Sequence, residues 1–332
     1  GPDYIDPKFH EVASGENSVN LDAWAMRKEE IETLAGSGNL IVEGAMGLFD
    51  GAGVSGVGSS ADLAKILSLP VVLVIDSAKT AHSIAALVQG FKSFDNHVTV
   101  AGVILNRVAS DRHLNILSAA LSKIDVPLLG FMFKSNIFSL SERHLGLVQA
   151  SENQNLEHWI DTVAEALAPS LDLQTLTELT SQPKLKAQEN KKPPGQRIAV
   201  ARDVAFEFSY PHHLRSWRLA GASISFFSPV ADEAVAKDAD FIFLPGGYPE
   251  LHAGQIAAAQ RFKSSIKGHA ANDTPIYGEC GGYMTLGDAI IDEHGVSHEM
   301  LGLLNLETSF ADRKLHLGYR QLSPLGPHFE GP

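Results

Sequence analysis

Short, wholly apolar runs punctuate the first half of the chain, and between them apolar positions recur every three to four residues. Residues 39–43 (NLIVE), 71–76 (VVLVID), 99–106 (TVAGVILN) and 126–131 read as buried strands. Residues 60–69, 80–94, 111–124 and 155–167 carry the helical period. Strands that are apolar at every position, rather than at every second one, predict a parallel sheet covered by helices on both faces. In such sheets ligands bind at the carboxyl ends of the strands. From Glu178 to Gln196 (ELTSQPKLKAQENKKPPGQ) the period vanishes and polar residues, Pro and Lys take over, the composition of a linker. A second series follows, with strands over 197–201, 223–227, 240–244 and 275–278 and helices over 211–220 and 254–269. The pattern therefore predicts two α/β domains, each with a mainly parallel sheet flanked by helices. They are expected over residues 1–178 and 197–332, joined by a linker over 179–196.

Length agrees, since 332 residues exceed one ordinary domain and suit two. Charge narrows the partners. The formal net charge is −13 and the longest basic cluster is Lys191-Lys192, so nucleic acid is not an expected partner. No apolar run has the length of a membrane span, and the N-terminus lacks a basic-then-apolar leader; a cytoplasmic protein without membrane contact is expected. One cysteine, Cys280, allows no intrachain disulfide and is either core filler or a nucleophile.

Its surroundings favour the nucleophile. In Tyr277-Gly278-Glu279-Cys280-Gly281-Gly282 a strand runs into a glycine-flanked turn with the thiol at its apex and a helix beyond, the sequence of a nucleophile elbow. A helix N-terminus would favour thiolate over thiol. Leu244-Pro245-Gly246-Gly247-Tyr248-Pro249-Glu250 also joins a strand to a helix. Its two glycines leave backbone N–H groups free to stabilise an oxyanion formed at Cys280, with Gly246, Gly247 and Gly281 as the candidate donors. In the first half, Glu43 ends an apolar run and begins Glu43-Gly44-Ala45-Met46-Gly47-Leu48-Phe49-Asp50-Gly51, a glycine-rich loop with a second carboxylate. A carboxylate beside phosphates can hold Mg²⁺, which prefers hard oxygen ligands.

Residues 244–250 and 278–282 resemble the two signatures of class I glutamine amidotransferase domains, in the form carried by the cobyrinic or hydrogenobyrinic acid a,c-diamide synthase family. Residues 200–206 (VARDVAF) and 227–232 (FSPVAD) are similar to the same subgroup, and Gly1-Pro2-Asp3-Tyr4-Ile5-Asp6-Pro7 resembles its substrate-side motif. The resemblance implies a P-loop-NTPase-like synthetase domain followed by a glutaminase domain. It implies that Cys280 attacks the glutamine carboxamide, forms a thioester and releases ammonia. It implies ATP and Mg²⁺ as cofactors, Glu43 as the Mg²⁺ ligand, Asn106 as the amide that reads adenine, and Asp3, Tyr4, Asp6 and Asp50 as substrate-binding residues. The substrates implied are L-glutamine, ATP and cobyrinic or hydrogenobyrinic acid. Arg143 and His144, in Ser141-Glu142-Arg143-His144-Leu145-Gly146-Leu147, are open to substrate binding or to packing. Oligomeric state is left open, a homodimer included.

The chain also departs from that family. A phosphate loop of the form Gly-x-x-x-x-Gly-Lys-Ser/Thr is absent, since residues 53–60 (GVSGVGSS) lack the Lys. The family's base histidine belongs to a His-Glu-Phe-His-like motif after Gly318-Tyr319-Arg320, and His316 and His328 stand outside it. Truncation at both ends, and an inactive fragment, are therefore expected. Two other readings remain: a tetrapyrrole amidase of the cobyric acid synthase or nickel-sirohydrochlorin type, or a non-catalytic nucleotide-binding module with a degenerate amidotransferase domain.

Overall fold

A computed structural model describes residues 3–36, 38–143, 146–180, 192–311 and 323, with the backbone alone at 143, 146 and 147. The chain divides into two compact units, Gly1–Gln188 and Glu189–Pro332.

The first unit contains helices α1 (Asp6–Ser14), α2 (Lys28–Ala35) and α3 (Ser60–Leu67), then strand β1 (Val71–Asp76), α4 (Ser83–Phe94), β2 (Val100–Val108), α5 (Asp111–Leu121), β3 (Leu128–Phe133), α6 (Leu156–Leu167) and α7 (Leu173–Glu178). The three strands pair in parallel in the order β1-β2-β3. Leu73, Ile75, Val103 and Leu105 meet Ile84 and Val88 of α4 and Leu117 and Leu121 of α5 in one core. Ser59 starts α3 with a reciprocal cap: its hydroxyl accepts from Asp62 N, and Asp62 accepts from Ser59 N. The glycine-rich loop ahead of it folds back onto this end, with Ala61 N donating to Leu48 O at 2.8 Å and Ser60 Oγ to Ala45 O at 3.2 Å.

The strand expected over residues 39–43 does not form. Leu40 and Val42 pack instead onto Ile31 of α2 and Leu63 and Leu67 of α3, which turns Ile41 outward to 96% exposure. Among the described residues the run keeps the two-residue alternation of a strand but joins no ladder, and β1 pairs with β2 alone. Among the described residues β1 is an edge strand and leaves Val74 66% exposed, while helices flank the parallel sheet as its apolar runs predict. Helices α1, α2 and α7 lie where no element was expected.

The second unit runs β4 (Arg197–Ala201), α8 (Pro211–Leu219), β5 (Ser223–Phe227), β6 (Phe241–Leu244), α9 (Ala253–Ala258), α10 (Gln260–Ala271), β7 (Ile276–Gly278), α11 (Gly281–Leu286) and three short strands, β8 (Ala289–Ile291), β9 (Ser297–Glu299) and β10 (Glu307–Ser309). Its main sheet is parallel in the order β5-β4-β6-β7, and the direction of strand addition reverses between β4 and β6. Such a switch point leaves a crevice at the carboxyl ends of the strands. Ile198, Val200, Phe241 and Phe243 face Leu214 and Trp217 of α8. The alternate residues Ala199, Ala201, Ile242 and Leu244 face Phe262 and Ile266 of α10. Burial on both faces explains why these strands are apolar throughout. Strand β8 pairs antiparallel with β9 and parallel with β10. The single helix expected over 254–269 is broken at Ala259, where Asp232 Oδ1 accepts from Phe262 N at 2.9 Å and so caps a new helix from outside. Residues 181–191, at the centre of the expected linker, lie outside the described residues.

One carboxylate ties the loops above this sheet. Asp203 accepts from Ala205 N at 2.9 Å, from Ser228 Oγ at 2.8 Å and from Val230 N at 2.8 Å. It therefore joins the loop after β4 to the loop after β5. Asp203→Ala strands these donors and should destabilise the protein by about 2 kcal/mol, since a hydrogen bond to a charged group contributes roughly 1.5–3 kcal/mol. A urea midpoint unchanged by this substitution would refute the tie.

Candidate active site

Cys280 joins β7 to α11 with φ 47° and ψ −114°. A non-glycine residue held so costs about 1–3 kcal/mol and persists only where its surroundings over-determine it. Here they do. Glu279 N donates to Leu244 O at 3.2 Å, Gly282 N to Glu279 O at 2.8 Å, and Met284 N to Cys280 O at 3.1 Å. The flanking glycines permit the approach. A Cβ on Gly278 would stand 2.7 Å from Leu286 Cδ1, one on Gly281 would stand 2.7 Å from Pro249 Cδ, and one on Gly282 would enter the carbonyl of Leu244.

The loop after β6 comes equally close. A Cβ on Gly246 would lie 3.0 Å from Cys280 Cβ and 3.3 Å from its Sγ. A Cβ on Gly247 would overlap the carbonyl of Ala205. Phe208 N donates to Gly246 O at 3.0 Å, and the buried rings of Phe208 and Tyr248 meet edge to face at 5.2 Å. Of the three candidate donors, Gly247 and Gly281 point their N–H groups at the Cys280 sulfur. Gly246 instead offers its carbonyl to Phe208 and its empty side to the thiol.

The thiol is exposed, yet its pKa lies above that of an ordinary cysteine. Loss of water around it is the largest cause, the N–H groups of Gly247 and Gly281 oppose it, and the carboxylates of Glu250 and Glu279 add to the rise. The helix-end stabilisation of thiolate expected from the sequence is thus outweighed. Helix α11 spans only six residues, and two acids lie near the sulfur.

In the first unit a separate group of acids gathers at α1. Asp3 Oδ1 accepts from Ile5 N at 2.8 Å and Asp6 N at 3.3 Å, fixing the start of the helix. Asn20, itself buried, donates to Asp3 O at 2.6 Å. One turn into α1, His10 Nε2 lies 2.9 Å from Glu43 Oε2. Burial lifts the Asp6 carboxyl to about 6, with repulsion from Asp3, a shared hydrogen bond with Asp3 and repulsion from Glu43 adding, and His10 opposing. Asp3, Asp6 and Glu43 are therefore brought together. Tyr4 is half-buried beside them in the chain. Asp50 is not part of this group: its Oδ2 accepts from Gly47 N at 3.2 Å inside its own loop. Asn106 sits at the carboxyl end of β2, in register with Asp76 of β1. The Arg143 side chain, His144, His316 and His328 fall outside the described residues, as does residue 3's neighbour Pro2.

Residues 197–331 match the family of CobB/CobQ-like glutamine amidotransferase domains, and residues 7–132 match the AAA domain family. Curated relatives agree along the whole chain. The hydrogenobyrinate a,c-diamide synthase of Brucella anthropi is 54% identical, over 98% of this chain and 77% of the relative. This chain belongs to the hydrogenobyrinate a,c-diamide synthase family. The Rhizobium meliloti member is 50% identical and a Sinorhizobium member 48%, each over 100% of this chain and 79% of its own length.

Against this family assignment, the sequence reading missed several groups. His10 carried a usable signal, since it follows Asp6 by four residues and so shares its helix face. Glu250 was quoted as part of a motif, but its burial at 9% exposure is not legible from the motif. Two consequences can be measured. Folding raises the Asp6 pKa, so its contribution to stability is fully present below the ordinary carboxylate range and is lost as pH rises through about 6. Asp6→Asn should therefore raise Tm at pH 8 by a few degrees, equivalent to about 1 kcal/mol after solvent screening, and the gain should shrink toward zero near pH 4. Equal gains at both pH values would contradict it. Gly246→Ala places a methyl against the sulfur and should slow alkylation of Cys280 by iodoacetamide about tenfold, a barrier increase of about 1.4 kcal/mol. Unchanged alkylation would mean that the approach of Gly246 to the thiol is wrong.

Proposed function

We propose that this chain performs the reaction for which its relatives are named, the glutamine- and ATP-dependent amidation of the a and c acetate side chains of hydrogenobyrinic acid or its cobalt-containing counterpart. The observation that carries the reading is the elbow at Cys280, with two glycine N–H groups on its sulfur and a third glycine leaving the approach open. Residues 197–332 are assigned to the glutaminase step. Residues 1–178 are assigned to the synthetase step, with residues 179–196 as the linker.

In the glutaminase step the Cys280 sulfur attacks the side-chain carbonyl carbon of glutamine. A C–S bond forms and the carbonyl electrons move to oxygen, where the N–H groups of Gly247 and Gly281 are assigned to stabilise the charge. Gly246 supplies the clearance. The C–N bond then breaks, ammonia leaves after taking up a proton, and water hydrolyses the thioester to glutamate. Because loss of water and the nearby acids favour thiol over thiolate at Cys280, a base has to take up its proton as attack begins.

The synthetase step needs a carboxylate converted to a better electrophile. ATP supplies this by phosphorylating it, and ammonia displaces the phosphate with formation of the C–N bond. Glu43 offers a solvent-facing carboxylate, a hard oxygen ligand suited to Mg²⁺, which commonly takes one or two protein carboxylates and completes its shell with phosphate and water. Among the described residues no group of three or more His, Cys, Asp or Glu side chains is placed to hold a metal ion. Asn106 is assigned to adenine, and Asp3, Tyr4, Asp6 and Asp50 to the substrate side. No helix among the described residues is long and apolar enough to cross a membrane.

Cys280→Ala in the full-length enzyme tests the assignment. Glutamine-dependent product formation should disappear while formation from added ammonium salt persists, because only the ammonia source passes through the thiol. Loss of both activities in a folded protein would place Cys280 outside the glutaminase step.

A further inference from the structure

The carboxyl end of β2 is built in an unusual way. From Leu105 to Val108 strand β2 advances three residues while β3 advances two, from Phe131 to Phe133. The extra residue is a bulge, a feature that re-aims side chains and concentrates near functional sites. Leu105 and Val108 are both fully buried. Ordinary alternation would put residues 105 and 107 on one face, so the bulge turns Arg107 out of the core beside Asn106. Arg107 makes the turn at φ 60°, a conformation that favours glycine.

Two neighbours hold this turn. Ser77, completely buried, donates to Asn106 O from its N–H at 2.9 Å and from its hydroxyl at 2.7 Å. Arg107 Nη1 donates to Asp76 Oδ2 at 3.0 Å, while Asp76 Oδ1 accepts from Ala78 N at 2.9 Å. The main chain of Asn106 is thereby fixed on both sides. Its side-chain amide makes no hydrogen bond to any described residue. A pre-set amide with its donors and acceptor free, at the end of a parallel strand, is arranged to read a ligand edge.

We propose that Asp76 and Arg107 are positioning residues for nucleotide selection: their ion pair holds the left-handed turn that presents the Asn106 amide to the purine edge. This rests on the assignment of Asn106 to adenine. An amide can donate to one ring position and accept from an exocyclic amine, which matches adenine and mismatches the oxo group of guanine. The geometry of the amide therefore sets the discrimination, and the pair sets the geometry.

Four full-length variants test it: Asn106→Ala, Asp76→Asn, Arg107→Gly and the double variant of the last two. Glycine adopts φ 60° without strain, so Arg107→Gly removes the ion pair and keeps the turn accessible. Expected for both single pair variants are a KM for ATP raised about tenfold, kcat within about twofold of the parent, and a matching loss of preference for ATP over GTP. The double variant should lose no more than either single one, because the two residues act as a unit. Melting temperature and Cys280 alkylation, read in parallel, separate this from misfolding. If Asn106→Ala loses the preference and the pair variants keep it, the positioning role is overturned and the adenine assignment stands. If Asn106→Ala keeps the preference, both fall. If the pair variants change kcat rather than KM, the pair serves catalysis and the proposal is wrong.

Discussion

Backbone approach without side chains governs the second unit. The end of β6, the turn at Cys280 and the start of α11 meet through Gly246, Gly281 and Gly282, and a Cβ on any of them would intrude on a neighbour. The consequences spread outward. The contact brings the N–H groups of Gly247 and Gly281 to a single sulfur atom. It sets Pro249 against Gly281 and the Glu250 carboxylate near the thiol, and Phe208 bridges to Gly246, which ties the loop after β4 to the loop after β6. Strand order then needs little else to define the site, because β4 and β6 are the strands at which the sheet changes direction.

The two units place acids differently. Around α1 the carboxylates of Asp3 and Glu43 press on that of Asp6, and His10, beside Glu43, opposes them. Around Cys280 the acids Glu250 and Glu279 press on a group that must itself become negative. In both places the resting protein carries a charge arrangement that a cation would relax. The proposed ligands bring such cations: a divalent metal on one side, the ammonium group of glutamine on the other.

Much of this was readable from the residues. The strands of the second unit follow from apolar runs, those at 241–244 and 276–278 leading into glycine-rich turns that include the elbow at Cys280. The run at residues 39–43 misled because a strand is a property of a pair; Leu40 and Val42 found partners on helices and no ladder was needed. The break at Ala259 was hidden because its cause, Asp232, lies 30 residues from Phe262. Asn106 was legible as a polar residue ending a strand. The bulge beside it was not, since Leu105-Asn106-Arg107-Val108 carries no glycine to mark a left-handed turn. The thiol's electrostatics also escaped the sequence. Proximity to a helix start was visible there, whereas the loss of water and the placing of Glu250 are properties of the folded crevice.

The chemistry of that crevice bears on how the enzyme survives between turnovers. Peroxide attacks thiolate rather than thiol, and oxidation beyond the sulfenic acid is generally irreversible. With its pKa pushed upward, Cys280 is biased toward the less reactive thiol although it faces solvent. The chain holds no second cysteine with which a sulfenic acid could form an intrachain disulfide. Favouring the thiol therefore lowers the exposure to oxidants of a nucleophile that has no second cysteine within residues 1–332.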